Sequence, residues 1–229
     1  NSQENRIDQY IEKNRVVGGD TLRVVYNDGS SRLVTKEGEG PELTANGNIA
    51  FHYAGYTFSG SFSKSNLFVT NRVESATESG WTLTDEGSQI LTINMNDYRL
   101  LPGLKAGLIG VKGGEECQIL FTGKYGFGNK EFGIIPILRI EALGKSLDGN
   151  LITAFVGKLE IIATGTILEH TAKDITLAHT LGNHDTLIIV KDAGKNLIRM
   201  SIQQTHEGHP SVFLILKTHY VTLQRFGAC

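Results

Sequence analysis

The chain has 229 residues, 40% of them hydrophobic and 20% charged, which is enough to bury a core and excludes a disordered or collagen-like chain. Its 22 basic and 24 acidic residues are scattered along the sequence and leave a formal charge of −2, so it carries no electrostatic footprint for nucleic acid or an anionic membrane. No run reaches the roughly 18 apolar residues that would signal a membrane-spanning helix.

The chain opens NSQENRID without an initiator methionine. We read this as a processed or trimmed polypeptide and, on the first reading, expect an exported protein of the periplasm or cell envelope, a place where a lipid anchor would also be compatible. Ile7, Tyr10 and Ile11 recur at helical spacing and predict a short amphipathic helix. TLRVVYNDGSSRLV places two β-rich runs on either side of Asn27-Asp28-Gly29, residues that accept positive φ, and so predicts a hairpin. KEGEGPEL reads as a connector that ends an N-terminal unit at about residue 45.

From Asn48 the texture is β-like through IAFHYAGYTFSGSF, after which residues 63–89 show little periodicity and read as a long excursion or flap able to gate a cleft. ILTINM alternates as a strand, LLPGLKAGLIGV sets leucines at helical spacing behind Pro102, and EECQILF alternates again, with Cys117 as a small core residue. The neighbouring Glu115 and Glu116 point to opposite faces of that strand and read as solvated charge. Beyond Pro136, short β-rich runs broken by GNHD, DAGK and THEGHP predict a β-rich sandwich or barrel over residues 144–229.

Several chemistries fail on the residues themselves. Gly126 and Gly128 are followed by Glu131 where a dinucleotide fingerprint needs its third glycine, and Tyr125 follows Gly123-Lys124 where a P-loop needs a hydroxyl for magnesium. GSFSKS does not fit a nucleophile elbow. His206 and His209 could converge on a metal, but spacing places no third ligand, and solvated or hydrogen-bonded histidines are the preferred reading. No cofactor is expected.

What remains is apolar and aromatic. FHYAGYTFSGSF, then LLPGLKAGLIGVKGGEECQILFTGKYGFG, then FGIIP resembles, in that order, the FK506-binding (FKBP) type of peptidyl-prolyl cis-trans isomerase over residues 48–143. The resemblance implies an α+β fold: an antiparallel half-barrel sheet wrapped on a short helix with a shallow apolar pocket between them. It divides the chain into residues 1–45, an isomerase domain at 46–143, and the β-rich unit at 144–229. Tyr53 stands at the family's pocket tyrosine and Phe62 at its aromatic before an acidic residue, here Ser63. Leu91 takes the strand position, Leu100 and Leu101 the Val-Ile pair, Leu104 the pocket-floor tryptophan, and Phe127 the loop tyrosine. Ile135 and Pro136 close the rim, with Leu138 near another expected aromatic.

The implied activity is isomerisation of Xaa-Pro bonds in peptides or unfolded chains, as a folding factor. Resonance sets the peptide-bond barrier at about 18–20 kcal/mol, and an apolar site that desolvates the carbonyl favours the twisted state without moving a proton. Ser63, Leu104 and Phe127 each remove a polar contact or bulk, so weakened activity is expected. The alternative is a non-catalytic peptide-binding chaperone or envelope adaptor on the same fold.

Overall fold

The computed structural model describes residues 2–15, 19–83, 85, 87–97, 100–128 and 209–223 in full, and the strand backbones between 140 and 203. The N-terminal segment forms helix α1 (Ser2–Arg15), which buries Ile7 and Ile11. Tyr10 lies on the same stripe, its ring edge-on to Phe58 and Phe213 and its hydroxyl donating to Gln118 Oε1 at 3.0 Å. In the hairpin of β1 (Arg23–Asn27) and β2 (Ser30–Lys36), Asn27 sits opposite Ser30. Asp28 and Gly29 turn between them at φ of 42° and 82°, the paired positive values that a two-residue I′ turn demands.

Strand β3 (Asn48–Phe58) is followed by β4 (Leu67–Thr70), α2 (Val73–Glu78), β5 (Leu91–Asn94), α3 (Pro102–Leu108) and β6 (Glu116–Phe121). The 63–89 excursion is therefore partly regular, because Leu67-Phe68-Val69 gives it an apolar strand that pairs with β3. Next, β7 (Ile140–Lys145), β8 (Leu151–Val156) and β9 (Leu159–Thr164) form a three-stranded antiparallel sheet. A four-stranded sheet follows, made of β10 (Thr166–His170), β11 (Asp174–Thr180), β12 (Thr186–Asp192) and β13 (Leu197–Gln203).

The last strand, β14 (Ser211–Thr222), leaves that pattern. It enters the main sheet, whose order is β1-β2-β6-β14-β3-β4 with β5 also on β3, and lies antiparallel to β3 from Ser211↔Phe58 to Thr222↔Asn48 and to β6 from Val212↔Phe121 to Lys217↔Glu116. The division expected at residue 144, with everything beyond it in one appended unit, is corrected by this pairing. Ile140–Lys145 pairs with β8, and the strands described between 140 and 203 lie in sequence between β6 and β14 of the main sheet. The physical reason is burial on both faces. SVFLIL is apolar at every position but the first, as a central strand covered on each side must be.

Those two faces are two cores. Ile49, Phe51 and Tyr53 of β3, Val212, Leu214 and Leu216 of β14, and Cys117, Ile119 and Phe121 of β6 join Leu104 and Leu108 of α3. The alternate positions Ala54, Tyr56 and Phe58, Phe213, and Leu120 join Ile7 and Ile11 of α1. Helix α3 approaches β6 closely, because a Cβ at Gly103 or Gly107 would lie 2.2 Å from the Phe121 ring or 2.5 Å from Ile119. On the other side, Gln3 of α1 accepts from the Gly123 N–H at 2.9 Å and donates to the His209 carbonyl at 2.7 Å. It thereby ties the chain at the entry of β14 to the 3-10 turn Gly123–Tyr125.

Glu115 departs from the solvated charge expected of it. It is fully buried and paired with Arg32, which is 2% exposed. Arg32 Nη2 also donates to the Ile109 carbonyl at 3.2 Å, and Glu115 Oε2 accepts from the Lys112 N–H at 3.2 Å, so the pair joins β2, the end of α3 and the turn before β6. Glu115→Ala strands a buried guanidinium and is expected to cost about 3–5 kcal/mol, whereas the double variant Arg32→Met/Glu115→Leu should recover much of it. Urea unfolding of the three proteins checks this. A chain ending at residue 143 is expected not to fold cooperatively, while one with residues 144–208 replaced by a short Gly/Ser linker should; circular dichroism during urea titration separates the two outcomes.

Candidate functional site

The face of the sheet turned toward α3 carries the candidate site. Tyr53 projects from β3, Phe68 from β4 and Leu104 from α3, while Leu100 and Leu101 precede that helix and Phe127 follows the 3-10 turn. All six belong to one buried cluster and none is more than 6% exposed. The Phe68 and Phe127 rings meet edge to face at 5.8 Å, and those of Phe51 and Tyr53 at 5.6 Å. Leu91, Trp81 and Tyr125 are partly buried against the cluster and form its accessible margin.

Of the residues singled out in the sequence, Tyr53, Leu100, Leu101, Leu104 and Phe127 are therefore brought together, with Leu91 beside them. Phe62 and Ser63 are not. Phe62 is 38% exposed and packs on Tyr56 at 4.8 Å and Phe213 at 5.4 Å, rings of the α1 face, and the Ser63 hydroxyl meets that of Ser65 at 2.8 Å in an exposed turn. Alternation explains the separation, since Tyr53 and Tyr56 are three apart on one strand and point to opposite faces. Ile135 and Leu138 lie outside the described residues.

Phe68, which sequence order did not assign to the site, lies in the cluster instead of Phe62, and the residue after it is Val69. The signal for this was the apolar triplet Leu67-Phe68-Val69, hidden inside a segment otherwise poor in pattern. Asn71 was also missed. It is 3% exposed, and its Oδ1 accepts from the Tyr53 N–H at 2.7 Å while its Nδ2 donates to the carbonyls of Phe51 at 3.3 Å and Gln89 at 3.0 Å. The Thr70 hydroxyl donates to the Tyr53 carbonyl at 2.7 Å. These side chains satisfy the edge of β3 between its pairings with β5 (residues 48–51) and β4 (residues 54–56), and so hold Tyr53 in place.

Burial alone pushes the Tyr53 phenol above its ordinary range, so it stays protonated. Burial also pushes the Cys117 thiol up, which keeps it an inert core group. Among the described residues no group of three or more His, Cys, Asp or Glu could hold a metal ion. No described helix is long and apolar enough to cross a membrane.

No protein-family model matches the sequence, and no curated protein matches it. Solved structures do. A multi-domain immunophilin from Arabidopsis thaliana is similar over 90% of this chain and 48% of its own, at 11% identity and a TM-score of 0.45, so the chain spans about half of that protein's length. The N-terminal domain of FKBP42 from Arabidopsis thaliana is similar over 45% of this chain and 70% of its own, at 16% identity and a TM-score of 0.32. The three FKBP domains of wheat FKBP73 are similar over 86% of this chain and 96% of their own, at 10% identity and a TM-score of 0.29.

The buried phenol and thiol predict an alkaline instability. Above about pH 9 the unfolded chain releases protons from cysteine and tyrosine, whereas folded Tyr53 and Cys117 keep theirs. The native state then binds more protons than the unfolded one, so stability falls as pH rises and is fully retained below that range. Urea midpoints between pH 8 and 11 should decline, and Tyr53→Phe should flatten the decline. The antiparallel sheet packed on α3, with the apolar cluster between them, is the α+β arrangement that the resemblance over residues 48–143 implied.

Proposed function

We propose that the cluster of Tyr53, Phe68, Leu101, Leu104 and Phe127 binds Xaa-Pro segments of peptides or unfolded chains and accelerates their cis-trans isomerisation. The observation that carries this reading is the convergence of those side chains between sheet and helix. A prolyl ring entering past Leu91, Trp81 and Tyr125 would bring its preceding carbonyl into an apolar environment. Planar amide resonance separates charge and loses water's support there, so the twisted state gains relative to the planar one. The protonated Tyr53 phenol is the donor assigned to hold the substrate. No nucleophile, metal or general base is needed.

Two features keep the proposed rate modest. Val69 follows Phe68 where the family has a carboxylate, and Phe127 brings no hydroxyl. The same two features favour a second reading, in which the site holds proline-containing segments without turning them over. The insertion supports that reading too, because it leaves the main chain after the rim turn at Gly123–Tyr125 and returns at His209, beside that turn.

Uncatalysed Xaa-Pro exchange takes roughly tens to hundreds of seconds, so NMR exchange on a short Xaa-Pro peptide reads the difference directly. We expect the full chain to accelerate exchange. Tyr53→Phe should slow it about fivefold for the loss of one hydrogen bond of about 1 kcal/mol, while the fold is retained. Phe62→Ala should leave the rate unchanged. Peptide binding without acceleration would establish the second reading, and neither binding nor acceleration would overturn both.

A further inference from the structure

The outer face of the β3–β14 pair carries two histidines that the proposed function does not use. His52 Nδ1 and His219 Nε2 lie 2.8 Å apart, with ring centroids at 4.9 Å, on the solvent side of the sheet. A β-bulge produces this. The register runs Thr218↔Phe51 and then Tyr220↔Ala50, leaving His219 as the extra residue. Val221 packs inward on the core beneath α3, so the bulge turns both His219 and Tyr220 outward. Bulges commonly re-aim side chains in this way beside functional sites.

The second ring nitrogen of His52 fixes its chemistry. Nε2 lies 3.0 Å from the Ser88 carbonyl, which can only accept, so Nε2 carries the proton and Nδ1 presents its lone pair toward His219. An imidazole held by a backbone carbonyl through its distal N–H is the usual support for a metal-ligating histidine.

We propose that His52 and His219 form a two-nitrogen chelate for a divalent transition metal of the copper(II) or nickel(II) class. The donors set the class, since imidazole nitrogens bind copper(II) and nickel(II) well. The 2.8 Å separation is that of the hydrogen bond joining the rings, and metal–nitrogen bonds of about 2.0 Å at a right angle span about the same distance, so chelation replaces that bond with little movement of either strand. Binding moves the His219 proton from Nε2 to Nδ1 through solvent, so both lone pairs face the ion. Water completes the coordination, since the described residues supply no third histidine, cysteine or carboxylate.

The test is a titration of the full chain with copper(II) alone, read by calorimetry and by the nitrogen hyperfine pattern in electron paramagnetic resonance. We expect one equivalent with a two-nitrogen pattern. His52→Gln and His219→Gln, both substitutions on the solvent-facing side of folded strands, should each weaken that equivalent at least tenfold and reduce the pattern to one nitrogen. A His206→Gln/His209→Gln variant should keep it. Unchanged copper binding in His52→Gln and His219→Gln, or loss of the equivalent in His206→Gln/His209→Gln alone, would overturn the proposal. Peptide isomerisation is measured separately and bears on neither outcome.

Discussion

Everything in the main sheet depends on one strand that arrives last. Strand β14 pairs with β3 along its whole length and with β6 through six residues, and its side chains supply both cores: Val212, Leu214 and Leu216 beneath α3, Phe213 beneath α1. Without it β3 and β6 would face each other across a gap, and neither helix would have a continuous surface to cover. The constraint is that β6 ends at Phe121 and β14 begins at Ser211. Loop-closure entropy rises only with the logarithm of length, so closing the connection of about ninety residues costs only about 2 kcal/mol more than closing one of about ten. Burial of a single large apolar side chain offsets a cost of that size. The insertion also forms its own antiparallel hairpins, which order much of that connection locally.

The apolar site follows from the same arrangement. Tyr53 and Phe51 face α3 only because β3 is held in register between β14 and its two short edge partners, and Asn71 and Thr70 fill the interval where neither edge strand reaches. The helix can lie close to β6 because two glycines four residues apart face Phe121 and Ile119. Arg32 and Glu115 then fix the far end of α3 through the Ile109 carbonyl. A site made of packed side chains has no charge to defend. On the proposed reading, its selectivity rests on shape and on the few polar groups left, of which the Tyr53 phenol is one.

The two faces of the sheet divide the chemistry. One is lined by apolar groups whose environment keeps a phenol and a thiol protonated; the other, near its open end, turns two imidazoles toward each other and toward solvent. Both are set by β3, whose alternate residues Tyr53 and His52 are neighbours in sequence and point apart. Changes at one face can therefore be made with little direct contact at the other, and the shared backbone is what joins them.

Local pattern was enough to read α1 from Ile7, Tyr10 and Ile11, the hairpin from Asn-Asp-Gly, α3 from Pro102 and the leucines behind it, and β5 and β6 from alternation, because each of these depends on residues a few positions apart. The resemblance over residues 48–143 assigned Tyr53, Leu100, Leu101, Leu104 and Phe127 to one pocket, and those five side chains share the apolar cluster beneath α3. Pattern could not show that Phe62 packs on the α1 face, since a turn of a few residues decides which face an aromatic reaches, nor that Phe68 joins the cluster beneath α3. Glu115 looks like any charged neighbour of Glu116 until Arg32 is brought to it across the sheet. SVFLILK reads as a buried strand with no hint of its partners, because strand pairing is a long-range choice made by burial on both faces. The sequence by itself thus determined the local elements and most of the apolar site, and only the tertiary structure decided which strand completes the sheet, since periodicity carries no information about partners some ninety residues away.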